Sequence, residues 1–180
     1  MRFIKLFVIC ILALLVVSTA LSLLFPSHLR VQRSVNVRVP GAGGMDSTKR
    51  VLVGILGSPR SWAHWESFVQ ATDSSDRVYS GVAKGVGAGF QSGKLSMSIT
   101  GMSDDSVHCH WTLSSGKQFE AGYYLFVLNN TDSVTVQSWM DFHFRWYPWE
   151  RLGILLYDKR LGPVLEESLQ GLKAYVEKTP

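Results

Sequence analysis

Hydrophobic and polar positions change their period several times along the chain. From Leu6 to Phe25 the run LFVICILALLVVSTALSLLF is uncharged and stops at Pro26. Its 20 residues, at a rise of about 1.5 Å each, match the roughly 30 Å apolar thickness of a bilayer, so the run predicts a membrane-spanning helix. From His28 to Val39 the chain alternates, with Leu29, Val31, Val35, Val37 and Val39 on one face and Arg30, Gln32, Ser34, Asn36 and Arg38 on the other. This is a half-buried strand that starts almost at the membrane. Pro40 to Gly44 break it. A short helix follows, capped by Asp46 or Ser47, carrying Val51, Leu52, Ile55 and Leu56 and ended by Gly57 in the left-handed conformation. Ser58-Pro59 opens a second helix with Trp62 and Trp65 one turn apart on one face.

After the polar loop ATDSSDR the period becomes two and stays so for about seventy residues. Leu95, Met97 and Ile99 alternate with small polar residues, as do Val107, Cys109, Trp111 and Leu113 with His108, His110 and Thr112. These are one-sided antiparallel strands, joined at Ser92-Gly93, Ser103 to Asp105, Ser115-Gly116 and Asn129 to Asp132. Gln118 to Leu128 is apolar on both faces and belongs in mid-sheet. The last strand starts near Ser133, with Val134, Val136, Met140, Phe142, Phe144 and Trp146 in one phase and Thr135, Gln137, Asp141 and His143 in the other; Trp139 is the aromatic exception. Tyr147-Pro148 ends it. A helix bearing Leu152, Leu155 and Leu156 follows, is interrupted at Gly162-Pro163, and resumes with the stripe Leu165, Leu169, Leu172 and Val176.

These elements predict an α+β fold, a curved antiparallel sheet of about seven strands around a long C-terminal helix, preceded by one transmembrane helix. Residues 1–27 form the anchor and 28–180 the globular domain. The rival for the first segment is a cleavable signal peptide, for which Ser18-Thr19-Ala20 offers a cleavage site; the apolar run continues well past it, which favours the anchor. Arg2 and Lys5 on one flank are matched by Arg30, Arg33 and Arg38 on the other, so flanking charge is a tie. The short basic tail places the domain on the exported, periplasmic side. Cys10 lies in the span and Cys109 is the domain's single cysteine, so no disulfide forms within it.

Net charge is +4 with the basic residues dispersed, which argues against a nucleic-acid partner. The glycines at 81, 85, 87 and 89 lack the Gly-Lys-Ser/Thr ending of a phosphate loop and read as a turn between strands. His108 and His110 share a strand face but lack a third ligand, so no metal is expected. Glu120, Asp141 and His143 are the acid–base candidates, yet Asp141 and His143 lie on the polar face of the last strand. No nucleophile–base pattern is present, and neither a cofactor nor a catalytic residue is assigned.

Arg33-Ser34, the WxxW of Trp62 to Trp65, the YSGxxxGVGAGF of Tyr79 to Phe90 and the DKxLGPxxExxLxxLKxxxE of Asp158 to Glu177 together resemble membrane-anchored bacterial members of the START-like polyketide cyclase (SRPBCC) superfamily. The resemblance runs from Leu29 to Lys178. It implies a helix-grip fold around a deep hydrophobic cavity. Relatives bind lipids, sterols or polyketides, some catalyse cyclisation or dehydration, and others are cochaperones. The superfamily has no common catalytic set to carry over. The expected cavity lining is Trp65, Leu95, Met97, Trp111, Phe142, Phe144, Trp146, Leu165, Leu169 and Leu172. The expected partners are the lipid bilayer and a hydrophobic small molecule, bound without chemistry. Two other classes stay open, a cyclase or dehydratase and a cochaperone-like interaction module.

Overall fold

The computed structural model describes residues 2–40, 44–127, 133–145 and 147–178, and at 148, 152 and 155 the backbone alone. The uncharged run forms most of α1 (Arg2–Ser22), which is long and apolar enough to cross a membrane. Alternation yields β1 (His28–Val37). Three short helices follow, α2 (Met45–Leu56), α3 (Pro59–Trp62) and α4 (Ser67–Gln70). The strands are β2 (Val78–Tyr79), β3 (Gly89–Gln91), β4 (Leu95–Met102), β5 (Ser106–Leu113), β6 (Gln118–Val127) and β7 (Val134–His143), and α5 (Pro148–Lys178) closes the chain. All seven strands form one antiparallel sheet in the order β1-β7-β6-β5-β4-β3-β2, with β6 inside it as its two-sided apolar character requires. The helices after β1 cover one face, α5 packing along β1 and β7, which is a helix-grip arrangement.

Several local expectations are corrected. The first domain helix starts at Met45 with Gly44 in the cap position at φ 126°, ahead of the expected Asp46 or Ser47. Gly57 does not end α2 by a left-handed turn, since its φ is −76°. A Cβ there would lie 2.7 Å from the methyl of Met102, a flexible side-chain end that can yield, and 3.0 Å from the Val53 carbonyl. The tryptophan helix stops at Trp62, so Trp65 sits in the link to α4, although the two rings still meet at 5.6 Å.

The expected break at Gly162-Pro163 does not occur, and α5 runs unbroken for 31 residues. An internal proline costs a helix about 3 kcal/mol, because it removes a hydrogen bond and crowds the preceding turn. Arg33 offsets part of this. It lies on the inward face of β1, in phase with the valines, and its guanidinium bonds Asp158 at 3.1 Å and Glu166 at 2.8 Å, one carboxylate on each side of the proline. The same guanidinium lies against Gly162, where any Cβ would displace it.

Register decides which parts of the molecule meet. His28 pairs with His143, the Phe144 N–H donates to the Ser27 carbonyl at 2.8 Å, and Leu95 pairs with Leu113. One end of the sheet therefore gathers the start of β1, the end of β7, the turns after β3 and β5, and the first turns of α5. α1 ends at that place too. Arg151 of α5 donates to the Ser22 and Phe25 carbonyls, each at 3.3 Å, and satisfies the negative C-terminal end of the apolar helix.

Sheet packing is tight where β6 passes between its neighbours. Gly122 lies beneath the Trp139 ring, and an added Cβ would come 2.9 Å from Trp139 Cζ2 and would also strike the Val107 carbonyl. Gly122→Ala should therefore destabilise the domain by about 1–3 kcal/mol, read from the denaturation midpoint of the full chain, because backbone and ring must both shift. An unchanged midpoint would show that this approach is slack.

Candidate functional site

The inward phases of β4 to β7 supply Leu95, Met97, Ile99, Trp111, Phe119, Tyr123, Met140 and Phe142, and the stripe of α5 supplies Leu165, Leu169, Leu172 and Val176. The nine described residues of the expected lining, Trp65, Leu95, Met97, Trp111, Phe142, Phe144, Leu165, Leu169 and Leu172, are all buried in this one apolar cluster. Trp146, and the expected turn from Asn129 to Asp132, lie outside the described residues.

Within the cluster the rings form an unbroken run. Trp65 meets Trp62, Trp62 stacks on Trp111 at 5.9 Å, and Trp111 stacks on Phe119 at 6.2 Å with planes 2° apart. Phe119 meets Phe142 at 5.0 Å, and Tyr157 closes edge-on against Phe142 at 5.1 Å and Phe144 at 5.0 Å. Trp62, Phe119 and Tyr157 were not expected members. Tyr157 also borders a cleft of about 190 Å³ formed with Gly153, Leu156, Arg160 and Leu161 on α5. The run thus extends from the covered side of the sheet to the end that abuts α1. At that end Lys117 places its ammonium against the Tyr157 hydroxyl, 4.8 Å from the Tyr157 ring centroid and 5.2 Å from that of Phe144.

The covered end of the run holds a polar group that sequence reasoning missed. Glu66 is 1% exposed, and its carboxyl accepts from the Tyr123 hydroxyl at 2.6 Å and the Ser168 hydroxyl at 2.8 Å. Burial pushes the Glu66 carboxyl above its usual range, and the two hydroxyls offset this only in part. Burial likewise raises the Tyr123 phenol, helped by the neighbouring Glu66, and raises the Cys109 thiol, so neither is a ready nucleophile. Trp65 Nε1 is buried without a hydrogen-bond partner among the described residues. A buried carboxyl that accepts from a phenol and an alcohol, with its pKa raised by burial, is a hydrogen-bonding centre inside an apolar interior.

The acid–base candidates read from sequence lie outside that interior. Glu120 pairs with Asp141 and His28 with His143 on the sheet's outer face. Asp141 is held by Arg30 at 2.7 and 2.5 Å, and this guanidinium keeps its carboxyl below the usual range. Arg30 also lies 4.7 Å over Trp139, which is buried on this face against Tyr124 and His108. His110 parts from His108 to border a groove of about 320 Å³ beside β2 and β3. No group of three or more potential metal ligands occurs among the described residues.

No family model and no curated protein matches the chain. Solved structures do. A protein from Nitrosospira multiformis is similar at TM-score 0.56 and 15% identity, over 83% of this chain and 97% of that one. A protein from Thermobifida fusca is similar at TM-score 0.55 and 16% identity, over 82% and 92% of the two chains. CalU16 from Micromonospora echinospora is similar at TM-score 0.51 and 11% identity, over 85% and 76%. At such identities the likeness is one of fold, and that fold is the α+β helix grip described above.

The buried Glu66 makes stability depend on pH with a definite sign. An unfolded Glu carboxyl loses its proton near 4.5, whereas the folded chain holds the Glu66 proton to higher pH. The contribution is therefore complete below 4.5 and is lost as pH rises towards the folded value. Glu66→Gln, which keeps the shape and cannot ionise, should flatten the fall in unfolding free energy as pH rises above 4.5. Identical slopes for the two proteins would mean that Glu66 is ionised in the fold.

Proposed function

We propose that this protein is a membrane-tethered START-like domain that binds a lipid-like amphipathic or apolar small molecule in the interior of its grip without reacting with it. The observation that carries the reading is the aromatic run from Trp65 to Tyr157, which reaches the surface at the end of the sheet that abuts α1. Supporting it, the buried cluster between sheet and α5 is almost wholly apolar, and an acyl chain admitted to it gains about 0.8 kcal/mol per buried methylene before binding costs. Trp149 is 67% exposed and stacked on Tyr147, and Leu156 is 52% exposed, both on the same end of α5. Exposed rings beside an apolar helix suit the boundary between headgroups and acyl chains. In this reading α1 spans the bilayer and cargo passes between bilayer and grip without crossing water.

A second reading, an acid–base enzyme of the cyclase type, is favoured by Glu66, a buried carboxyl whose pKa burial raises. It ranks below binding because both Glu66 oxygens are engaged by Tyr123 and Ser168. Recovery of a bound ligand chemically unchanged supports the first reading, and a dehydrated or cyclised product supports the second.

The test places the full chain in nanodiscs containing a diazirine-bearing palmitic acid and maps its photo-crosslinks by peptide. Crosslinks are expected on β7 and on α5 near Tyr157 as well as on α1. Phe142→Asp should abolish those in the grip, by setting an unpaired carboxylate against the chain, and leave those on α1. Phe142→Trp keeps an apolar interior, narrows it, and should reduce the yield without unfolding. Crosslinks confined to α1 in the folded wild type would overturn the binding reading.

The proposed orientation has the domain on the exported side. Protease added to spheroplasts should then digest the domain while leaving cytoplasmic controls intact. Protection until lysis would place it in the cytoplasm.

A further inference from the structure

The cations near the interior differ in what they face. Arg30 has the Asp141 carboxylate, Arg33 has Asp158 and Glu166, Arg77 has the Val69 and Thr72 carbonyls, and Arg151 has those of Ser22 and Phe25. Lys117 is the contrast. Its half-buried ammonium has one phenol and two ring faces, and no carboxylate among the described residues. Ring faces compensate only part of what an ammonium loses on leaving water, and a phenol occupies one of its three donors. Its position adds to this. Lys117 follows the β5–β6 turn at the sheet end beside α1, and touches Tyr157 and Phe144, where the aromatic run reaches the surface. Arg160 lines the adjoining cleft, so the neighbourhood is positive.

Resting on the binding reading above, we infer that Lys117 holds the acidic head of the bound amphiphile, a carboxylate or phosphate, while its chain lies along Phe144, Phe142 and Phe119. The ligand class is then an anionic, single- or double-chain lipid. Its head stays at the bilayer end of the grip and its tail points towards Trp111. An ammonium–carboxylate hydrogen bond shielded by rings is stronger than one in water, so charge on the head becomes the main basis of selection.

The experiment loads nanodiscs with one of three diazirine probes: palmitic acid, hexadecanol or phosphatidic acid. Crosslinks on the grip are counted relative to those on α1 in the same sample, which cancels partition into the bilayer. Wild type should favour at least one anionic probe over the alcohol by about tenfold, the worth of a charge-assisted hydrogen bond. The preferred probe tells carboxylate from phosphate. Lys117→Gln should remove the preference but keep alcohol crosslinking, and Lys117→Arg should retain it. Tyr157→Phe, which frees the ammonium of its phenol partner, should keep the preference even if Lys117→Gln loosens packing. Equal grip crosslinking by all three probes overturns the inference and leaves the binding reading standing. Absence of grip crosslinks from all three overturns both.

Discussion

The molecule is organised by how its first strand is placed. Five residues separate the end of α1 from β1, which pairs with β7 along its whole length, beginning at His28 and His143. Since β7 leads directly to α5, this pairing brings the start of the grip helix back to the end of the apolar helix. Arg151 then closes the junction on the carbonyls of Ser22 and Phe25. The sheet cannot turn freely about α1 without breaking these contacts. The aromatic run therefore approaches the surface beside α1.

Inside the domain, charge is kept where it has a partner. Arg33 enters the covered side of the sheet and pairs with carboxylates of α5 on both sides of Pro163, where the helix runs on although the sequence alone predicts two. Glu66 is deeper, and it is tolerated because hydroxyls from β6 and α5 meet it and because it can stay protonated. The opposite solution appears on the outer face, where Asp141 stays ionised beside Arg30. Two carboxyls of the same domain are thus pushed in opposite directions, one by burial and one by a cation. The interior carboxyl is held by two hydroxyls, and the outer one holds Arg30, whose guanidinium lies over Trp139.

Most of the architecture was legible in the sequence because period-two and helical stripes report directly on which face is buried. Leu95, Met97, Trp111 and Phe142 fell on the covered face as alternation demands, and Leu165, Leu169 and Leu172 faced them. What escaped were residues whose role depends on contacts distant in sequence. A lone Glu66 after Trp65 carries no periodic signal. Its partners did leave one: Tyr123 and Ser168 stand in apolar phase on two different elements, both buried, and hydroxyls there need a polar neighbour. Arg33 left the same kind of mark, standing in phase with Val31, Val35 and Val37. The unbroken α5 was illegible locally, because the residue that steadies it lies on β1. Tyr157 and Lys117 were passed over because each is amphipathic, and nothing in their own stretches of chain tells a surface position from the rim of an apolar interior.

The central claim is that the end of the grip carrying Trp149 and Tyr157 sits at the bilayer surface while the opposite end points into water. The most direct test is electron paramagnetic resonance accessibility in nanodiscs, with Cys10 replaced by Ala and a spin label at Trp149 or, at the other end of the sheet, at Ser103. The account predicts that the label at 149 collides readily with oxygen and poorly with a water-soluble nickel chelate, and that the label at 103 does the reverse. Equal, fully aqueous accessibility at both positions would contradict it.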